Sequence, residues 1–192
     1  MGYFDSEKNV TEYLKLAKGY DGKELIKKLK HYLPKGQSVL ELGMGPGKDL
    51  NMLKRTYTAT GSDNSRVFLD RYKQRHPDAK LQQLDAVTLT AKGRFDCIYS
   101  NKVLHHLTKT DLRKSLRRQS DILKRNGLVM HSFWKGNKQE RFSGLLFTYY
   151  TAGQIVQLFE DLFEPLEIVV YSEMKSEDSI YFIGRKKSRV VK

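Results

Sequence analysis

Val39-Leu-Glu-Leu-Gly43-Met-Gly45-Pro-Gly47-Lys-Asp49 constrains the fold more than any other stretch of this chain. A short apolar run passes straight into glycines on alternate positions, and these open into a helix carrying Leu50 and Leu53. A strand, a glycine turn and a helix in immediate succession form the entry unit of open α/β sheets, where backbone must approach a ligand without side chains in the way. The rest of the 192 residues keeps that rhythm. Strands are expected at 38–42, 58–62, 81–84, 95–100 and 127–133, with helices between them. Ser65 is placed to cap a helix holding Phe68, Leu69 and Tyr72 that ends at His76-Pro77. A second helix, with Leu112, Leu116 and Leu123 on one side, is expected to close at Asn126-Gly127. Thr151-Ala-Gly-Gln154 reads as a capping box ahead of the stripe Ile155, Leu158, Phe159, Leu162 and Phe163. Segments 166–171 and 179–184 make an antiparallel hairpin at the sheet edge. The expectation is an α/β fold with a doubly wound, mostly parallel seven-stranded sheet and one antiparallel strand near the C-terminus.

The whole chain, 1–192, reads as one domain. Residues 1–35 form an N-terminal helical segment, on the faces Val10, Tyr13, Leu14, Ala17 and Leu25, Ile26, Leu29, Leu33, stopped by Pro34-Lys-Gly36. Residues 36–185 are the core, and 186–192 a basic tail. Dinucleotide enzymes share the glycine junction, but their fingerprint requires a third glycine three positions after the second, and Lys48 stands there.

The spacing Glu41-x-Gly43-x-Gly45-x-Gly47 resembles the first motif of class I S-adenosylmethionine-dependent methyltransferases, and the likeness runs through 36–185. Asp63 in Thr-Gly-Ser-Asp63-Asn64-Ser matches the acid that in this family bridges the ribose hydroxyls. A carboxylate suits that task because its two oxygens accept from neighbouring hydroxyls. Leu84-Asp85-Ala86 matches the adenine contact, and Phe95-Asp-Cys-Ile-Tyr-Ser100-Asn101-Lys-Val-Leu-His105-His106-Leu the motif whose strand end faces the methyl group. The resemblance implies a Rossmann-like fold and S-adenosyl-L-methionine as donor, with S-adenosyl-L-homocysteine as product. It implies Glu41, Gly43, Gly45, Gly47, Asp63, Asn64, Asp85, Ala86, Ser100 and Asn101 as cofactor-binding residues. Taken alone, Asp63 also reads as a helix cap and Asp85 as a turn aspartate.

Methyl transfer from a sulfonium needs a nucleophile in line and a dry site; a general base is optional. His105 and His106 are the acid–base candidates because imidazole titrates near neutrality; His105 is taken as the catalytic residue, and one of the two rings is expected to support the helix or pack under the loop. His31, His76 and His131 read as structural or exposed, and no side-chain spacing suggests a metal site. Tyr3, Tyr13, Tyr20, Trp134, Tyr149 and Tyr150 are expected around the acceptor, with Phe142 and Phe147 nearby. The run after the fourth strand lacks the Asn/Asp-Pro-Pro-aromatic pattern of enzymes acting on exocyclic amines of DNA bases. The single cysteine, Cys97, lies inside a strand, which excludes C5-cytosine chemistry, arsenic methylation and an intramolecular disulfide.

A net charge of +13 favours acidic partners. Arg113, Lys114, Arg117, Arg118, Lys124 and Arg125 on one helix, with Arg185-Lys-Lys-Ser-Arg189, leave nucleic acid open as a partner, although a solvated face carries the same pattern. With no apolar stretch long enough to span a bilayer and no signal-peptide core, a cytoplasmic protein without membrane contact is expected. The activity expected is methylation of a small molecule at O, N or S. The alternatives are an RNA or protein methyltransferase, or a catalytically silent cofactor-binding module. Oligomeric state is not legible.

Overall fold

The computed structural model describes residues 3–16 and 19–188. Ala17 of the first helical face and Arg189 of the basic tail lie outside them. Helices α1 (Glu7–Leu16) and α2 (Lys23–Leu29) precede the alternating part of the chain. That part runs β1 (Ser38–Leu42), α3 (Lys48–Leu53), β2 (Thr58–Asp63), α4 (Arg66–Arg75), β3 (Leu81–Gln83), β4 (Phe95–Asn101), α5 (Lys109–Ile122) and β5 (Leu123–Trp134). A small ribbon follows, β6 (Gln139–Phe142) and β7 (Leu145–Thr148), then α6 (Ala152–Phe159), β8 (Phe163–Tyr171) and β9 (Ser179–Lys186).

Seven strands form one sheet in the order β3-β2-β1-β4-β5-β9-β8. β3, β2, β1, β4 and β5 pair in parallel, and β9 runs antiparallel to both neighbours. The seven strands and the single reversed one are as the sequence implied. The order reverses between β1 and β4, and the crevice outside the carboxyl ends of such strands is where open α/β sheets hold ligands.

Alternation along each strand builds two apolar layers. Leu40, Leu42, Ile98, Val129 and Phe182 face α5 and α6, burying Leu112, Leu116, Ile155 and Phe159. Val39, Cys97, Tyr99, Met130 and Ile183 face the other way, onto α2, α3 and α4 through Leu29, Leu50, Leu53 and Tyr72. The capping box is present at α6, with Thr151 Oγ1 accepting from the Gln154 amide and Gln154 Oε1 accepting from Thr151 N–H.

One expectation needs correction, and one element was not foreseen. α5 ends at Ile122 rather than at Asn126-Gly127, because Leu123 already pairs with Phe95 in the sheet and the extra residues of β5 before Leu128, which pairs with Cys97, absorb the shift in register. Asn126, at φ 60°, sits within β5. The aromatic segment after β5 is a two-stranded ribbon, turned by Ser143 at φ 50° and Gly144 at φ 81°.

Phe159 has no exposed surface, and its ring lies 4.4 Å from Phe182 and within 6.2 Å of Phe133. Phe159→Ala is predicted to cost about 3–5 kcal/mol of stability through the cavity it leaves. Thr151→Ala, which removes only the cap, is predicted to cost about 1 kcal/mol. Urea unfolding of both variants checks the ranking.

A candidate cofactor and acceptor cleft

The cleft opens at the carboxyl ends of β1, β2 and β4, where the glycine loop joins β1 to α3. Gly43, Gly45 and Gly47 have φ of 62°, 49° and 81°, a region side chains rarely enter. A Cβ on Gly43 would meet Val103 at 2.6 Å, and one on Gly47 would meet the Tyr72 ring at 2.2 Å. These two serve close packing. Gly45 is different: a Cβ there would meet nothing within 4 Å, so its backbone stands open to the cleft.

Asp63 ends β2 with its Oδ2 accepting from Gly45 N–H at 2.9 Å and its Oδ1 from Ser65 N–H at 2.8 Å. Each oxygen keeps accepting capacity, so the helix-start contact and a ribose contact are compatible. Burial pushes its carboxyl above the usual range while the backbone donors pull it back. Ser65 caps α4 itself, accepting from Phe68 N–H and donating to the Phe4 carbonyl.

Two cavities of about 320 and 290 Å³ share the glycine loop, Tyr3, Tyr13, Lys102 and His106. The smaller is lined by Asp63, Asn64, Asp85 and Ala86, which brings that set together. Asp85 also holds its own turn, Oδ1 accepting from the amides of Val87 and Thr88. The larger contains Glu41, Asn101, His105, Tyr3, Tyr13, Tyr20 and Trp134.

Glu41 is 3% exposed, and its Oε2 has no partner among the described residues. Burial first, and then the charges of Asp49 and Asp63, push its carboxyl well above the ordinary value. An unpartnered buried acceptor beside an open glycine backbone fits a ligand that carries positive charge and hydrogen-bond donors. His105 is equally bare: 2% exposed, both ring nitrogens without partners, 3.9 Å ring to ring from His106 and 5.2 Å from Phe147. Burial, with the nearby His106 and Lys102, holds its pKa well below the usual imidazole value, so it is neutral at pH 7. His106 donates from Nδ1 to the Leu146 carbonyl at 2.6 Å, which ties the turn Leu104–His106 to β7.

Four expected residues are placed elsewhere. Ser100 faces α5 rather than the cleft; its hydroxyl meets His131 Nδ1 at 2.8 Å, and His131 Nε2 donates to Gln119 Oε1. Burial depresses His131 to about 3. Strand alternation imposes this, since Tyr99 and Asn101 occupy the cleft-side positions of β4. Tyr150 is fully buried against Phe133, in the core. Tyr149 donates to Glu140 Oε1 on the ribbon, outside both cavities. Gly47 packs below the loop and lines neither cavity.

Other residues enter the site without having been singled out. Asp49, the second residue of α3, is buried and accepts from Gly22 N–H and Tyr99 Oη–H, both at 2.7 Å, and from Asn101 Nδ2 at 3.2 Å. It thereby ties the N-terminal segment to the strand floor. Lys102 and Glu173 form a half-buried ion pair at 2.6 Å on the cleft wall, and Met174 lies beside it. On the basic helix, Lys114 pairs with Asp111, Arg118 with Asp121, and Lys124 with Asp96. Among the described residues no helix is long and apolar enough to cross a membrane, and no group of three His, Cys, Asp or Glu side chains is arranged to hold a metal.

Residues 39–127 match the family model of a methyltransferase domain. No curated protein matches the sequence closely enough to count as a relative. Among solved structures, an S-adenosylmethionine-dependent methyltransferase from Clostridium acetobutylicum superposes with a TM-score of 0.76 at 15% identity, covering 94% of this chain and 98% of its own. The N-methyltransferase NodS of Bradyrhizobium japonicum, solved with S-adenosyl-L-homocysteine, gives 0.68 at 17% identity, covering 86% and 85%. CalS10, an amino pentose methyltransferase from Micromonospora echinaspora solved with S-adenosylmethionine bound, gives 0.73 at 15% identity, covering 93% and 97%. The matched segment and the superpositions lead to one statement: residues 39–127 are similar to the methyltransferase domain model, and the chain has the fold of these S-adenosylmethionine-dependent methyltransferases.

Proposed function

We propose that this protein transfers a methyl group from S-adenosylmethionine to a small-molecule acceptor held beneath its N-terminal segment. The observation that carries this reading is one cleft lined by two unpartnered buried groups, Glu41 Oε2 and the neutral imidazole of His105, together with the open Gly45 backbone. Similar folds serve N-methylation in NodS and methylation of an amino pentose in CalS10, which supports a small acceptor.

In this reading the donor, when bound, supplies an electrophilic methyl on a sulfonium. Asp63 and Asn64 receive the ribose, Asp85 and Ala86 the base, and Glu41 the amino end. Tyr3, Tyr13 and Tyr20 cover the cleft and keep water from it, held by Lys48 Nζ on the Tyr20 carbonyl and by Asp49 on Gly22 N–H. His105 takes a hydrogen bond from the acceptor and aims its lone pair, the positioning an in-line displacement requires.

Calorimetric titration is predicted to show S-adenosylmethionine and S-adenosylhomocysteine binding and NAD failing to bind. Asp63→Ala is predicted to weaken S-adenosylhomocysteine by about 1.5–3 kcal/mol, the scale of hydrogen bonds to a charged group. His105→Ala is predicted to leave that affinity unchanged while turnover falls; exchange of the two effects would reverse the assignment.

Glu41 generates a pH prediction. A bound cation draws its raised pKa back towards the ordinary 4.5, so binding releases a proton in the interval between the two values. Affinity for S-adenosylmethionine is therefore predicted to be constant above the raised pKa and to fall as acidification passes through that interval. Glu41→Gln is predicted to flatten the dependence, and titrations across a buffer series check both.

A further inference from the structure

The charge of the larger cavity runs against the charge of the chain. Within a protein of net charge +13, the described residues of its walls carry the carboxylates of Asp21, Glu41, Asp49 and Glu173 and two ammonium groups, Lys48 and Lys102. Both ammonium groups are already engaged. Lys102 Nζ donates to Glu173 Oε2 at 2.6 Å, to Ser179 Oγ at 2.8 Å and to Tyr171 Oη at 3.3 Å, and it lies 4.0 Å from the centre of the Trp134 ring. Its three N–H bonds are accounted for. Lys48 Nζ donates to the Tyr20 carbonyl at 2.9 Å. Among the described residues, an anionic acceptor entering the cavity would meet the exposed carboxylate of Asp21 and no uncommitted lysine.

We propose that the acceptor is an amine on an apolar or ring-bearing body, received between the carboxylates and the bare imidazole of His105, and that carboxylates, phosphates and nucleic acid are excluded from the cavity. This rests on the methyl-transfer reading above and narrows its substrate class. The tyrosine and tryptophan walls suit such a body, since aromatic faces attract cations. The chemistry agrees. The acceptor reacts as the free amine: its lone pair forms the new N–C bond while the C–S bond breaks and that electron pair stays on sulfur. Positive charge leaves sulfur and reappears on nitrogen as a methylammonium, which Asp21 and the aromatic walls stabilise, and which sheds its proton to water after release. No strong base is needed. A hydroxyl or thiol acceptor would have to become an oxyanion or thiolate among carboxylates, with a buried histidine whose basicity is depressed as the candidate base. His105 instead accepts an N–H from the amine and turns its lone pair towards the methyl.

The test uses the full chain loaded with S-adenosylhomocysteine and four probes: 2-phenylethylamine, 2-phenylethanol, 3-phenylpropanoate and a short single-stranded RNA, followed by ligand-detected NMR titration. The amine is expected to bind about tenfold more tightly than the carboxylate of similar shape, the scale of a desolvated cation over aromatic faces. Asp21→Asn, which keeps the turn bond to Lys23 N–H and removes an exposed charge, is expected to reduce that preference about two- to threefold. In parallel, methyl-labelled S-adenosylmethionine with pooled amines, phenols, thiols and carboxylic acids is expected to place the label on nitrogen. The proposal is overturned if the carboxylate or RNA binds as well as the amine, if no probe discriminates, or if the label appears on oxygen or sulfur. Failure of S-adenosylhomocysteine itself to bind would instead overturn the donor assignment, so the two failures are distinguishable.

Discussion

Three buried carboxylates, Glu41, Asp49 and Asp63, converge where β1, β2 and α3 meet, and the geometry of the cleft follows from how each is satisfied. Ionised groups removed from water must be paired, hydrogen-bonded or left to wait for a ligand. Asp63 is met by backbone amides of the glycine loop and of the turn before α4, which fixes the distance between β2 and the loop. Asp49 is met by Tyr99, Asn101 and Gly22, which fixes the N-terminal segment over the strand ends. Glu41 is left with one oxygen bare. That gradient from satisfied to unsatisfied marks where the protein has completed its own structure and where it has left room for another molecule.

The sheet makes this convergence possible. Parallel strands with reversed order between β1 and β4 put two carboxyl ends side by side with their connecting loops diverging to opposite faces. Apolar layers on both faces hold those ends in place, so the polar groups at the cleft rest on a rigid base while the covering segment is attached by hydrogen bonds from Lys48, Ser65 and Arg71, by Gly22 N–H on Asp49, and by Phe4 and Tyr13 against Phe68. A rigid floor under a separate covering segment suits a site that must exclude water during transfer and release product afterwards.

The features legible in the sequence were those carried by local chemistry. Alternating strands and helices, the glycine loop, Ser65 as a cap and the Thr151–Gln154 box each announce themselves within a few residues. What escaped depended on which way a side chain faces once strands pair. Ser100 and Asn101 are adjacent, yet pairing sends Ser100 to His131 and Asn101 to Asp49. Tyr149 and Tyr150 likewise point apart, one to the ribbon and one to the core. The ribbon itself had only Ser143-Gly144 to signal it, because β6 is exposed at every position and carries no apolar period. Leu123 continued the helical stripe of α5, and only its pairing with Phe95 ends that helix early. Lys102 meets Glu173 across 71 residues, a separation no local pattern spans.

The account stands on the strand-end cleft being the donor site, and amide hydrogen exchange with and without S-adenosylhomocysteine addresses that most directly. Protection on binding is predicted at the glycine loop 43–47, at 63–65, at 85–87, and at 20–22 where the cover is fastened. Protection that instead appeared around Arg125 and Arg185, at the opposite end of the sheet, or no change at the loop despite binding, would contradict it.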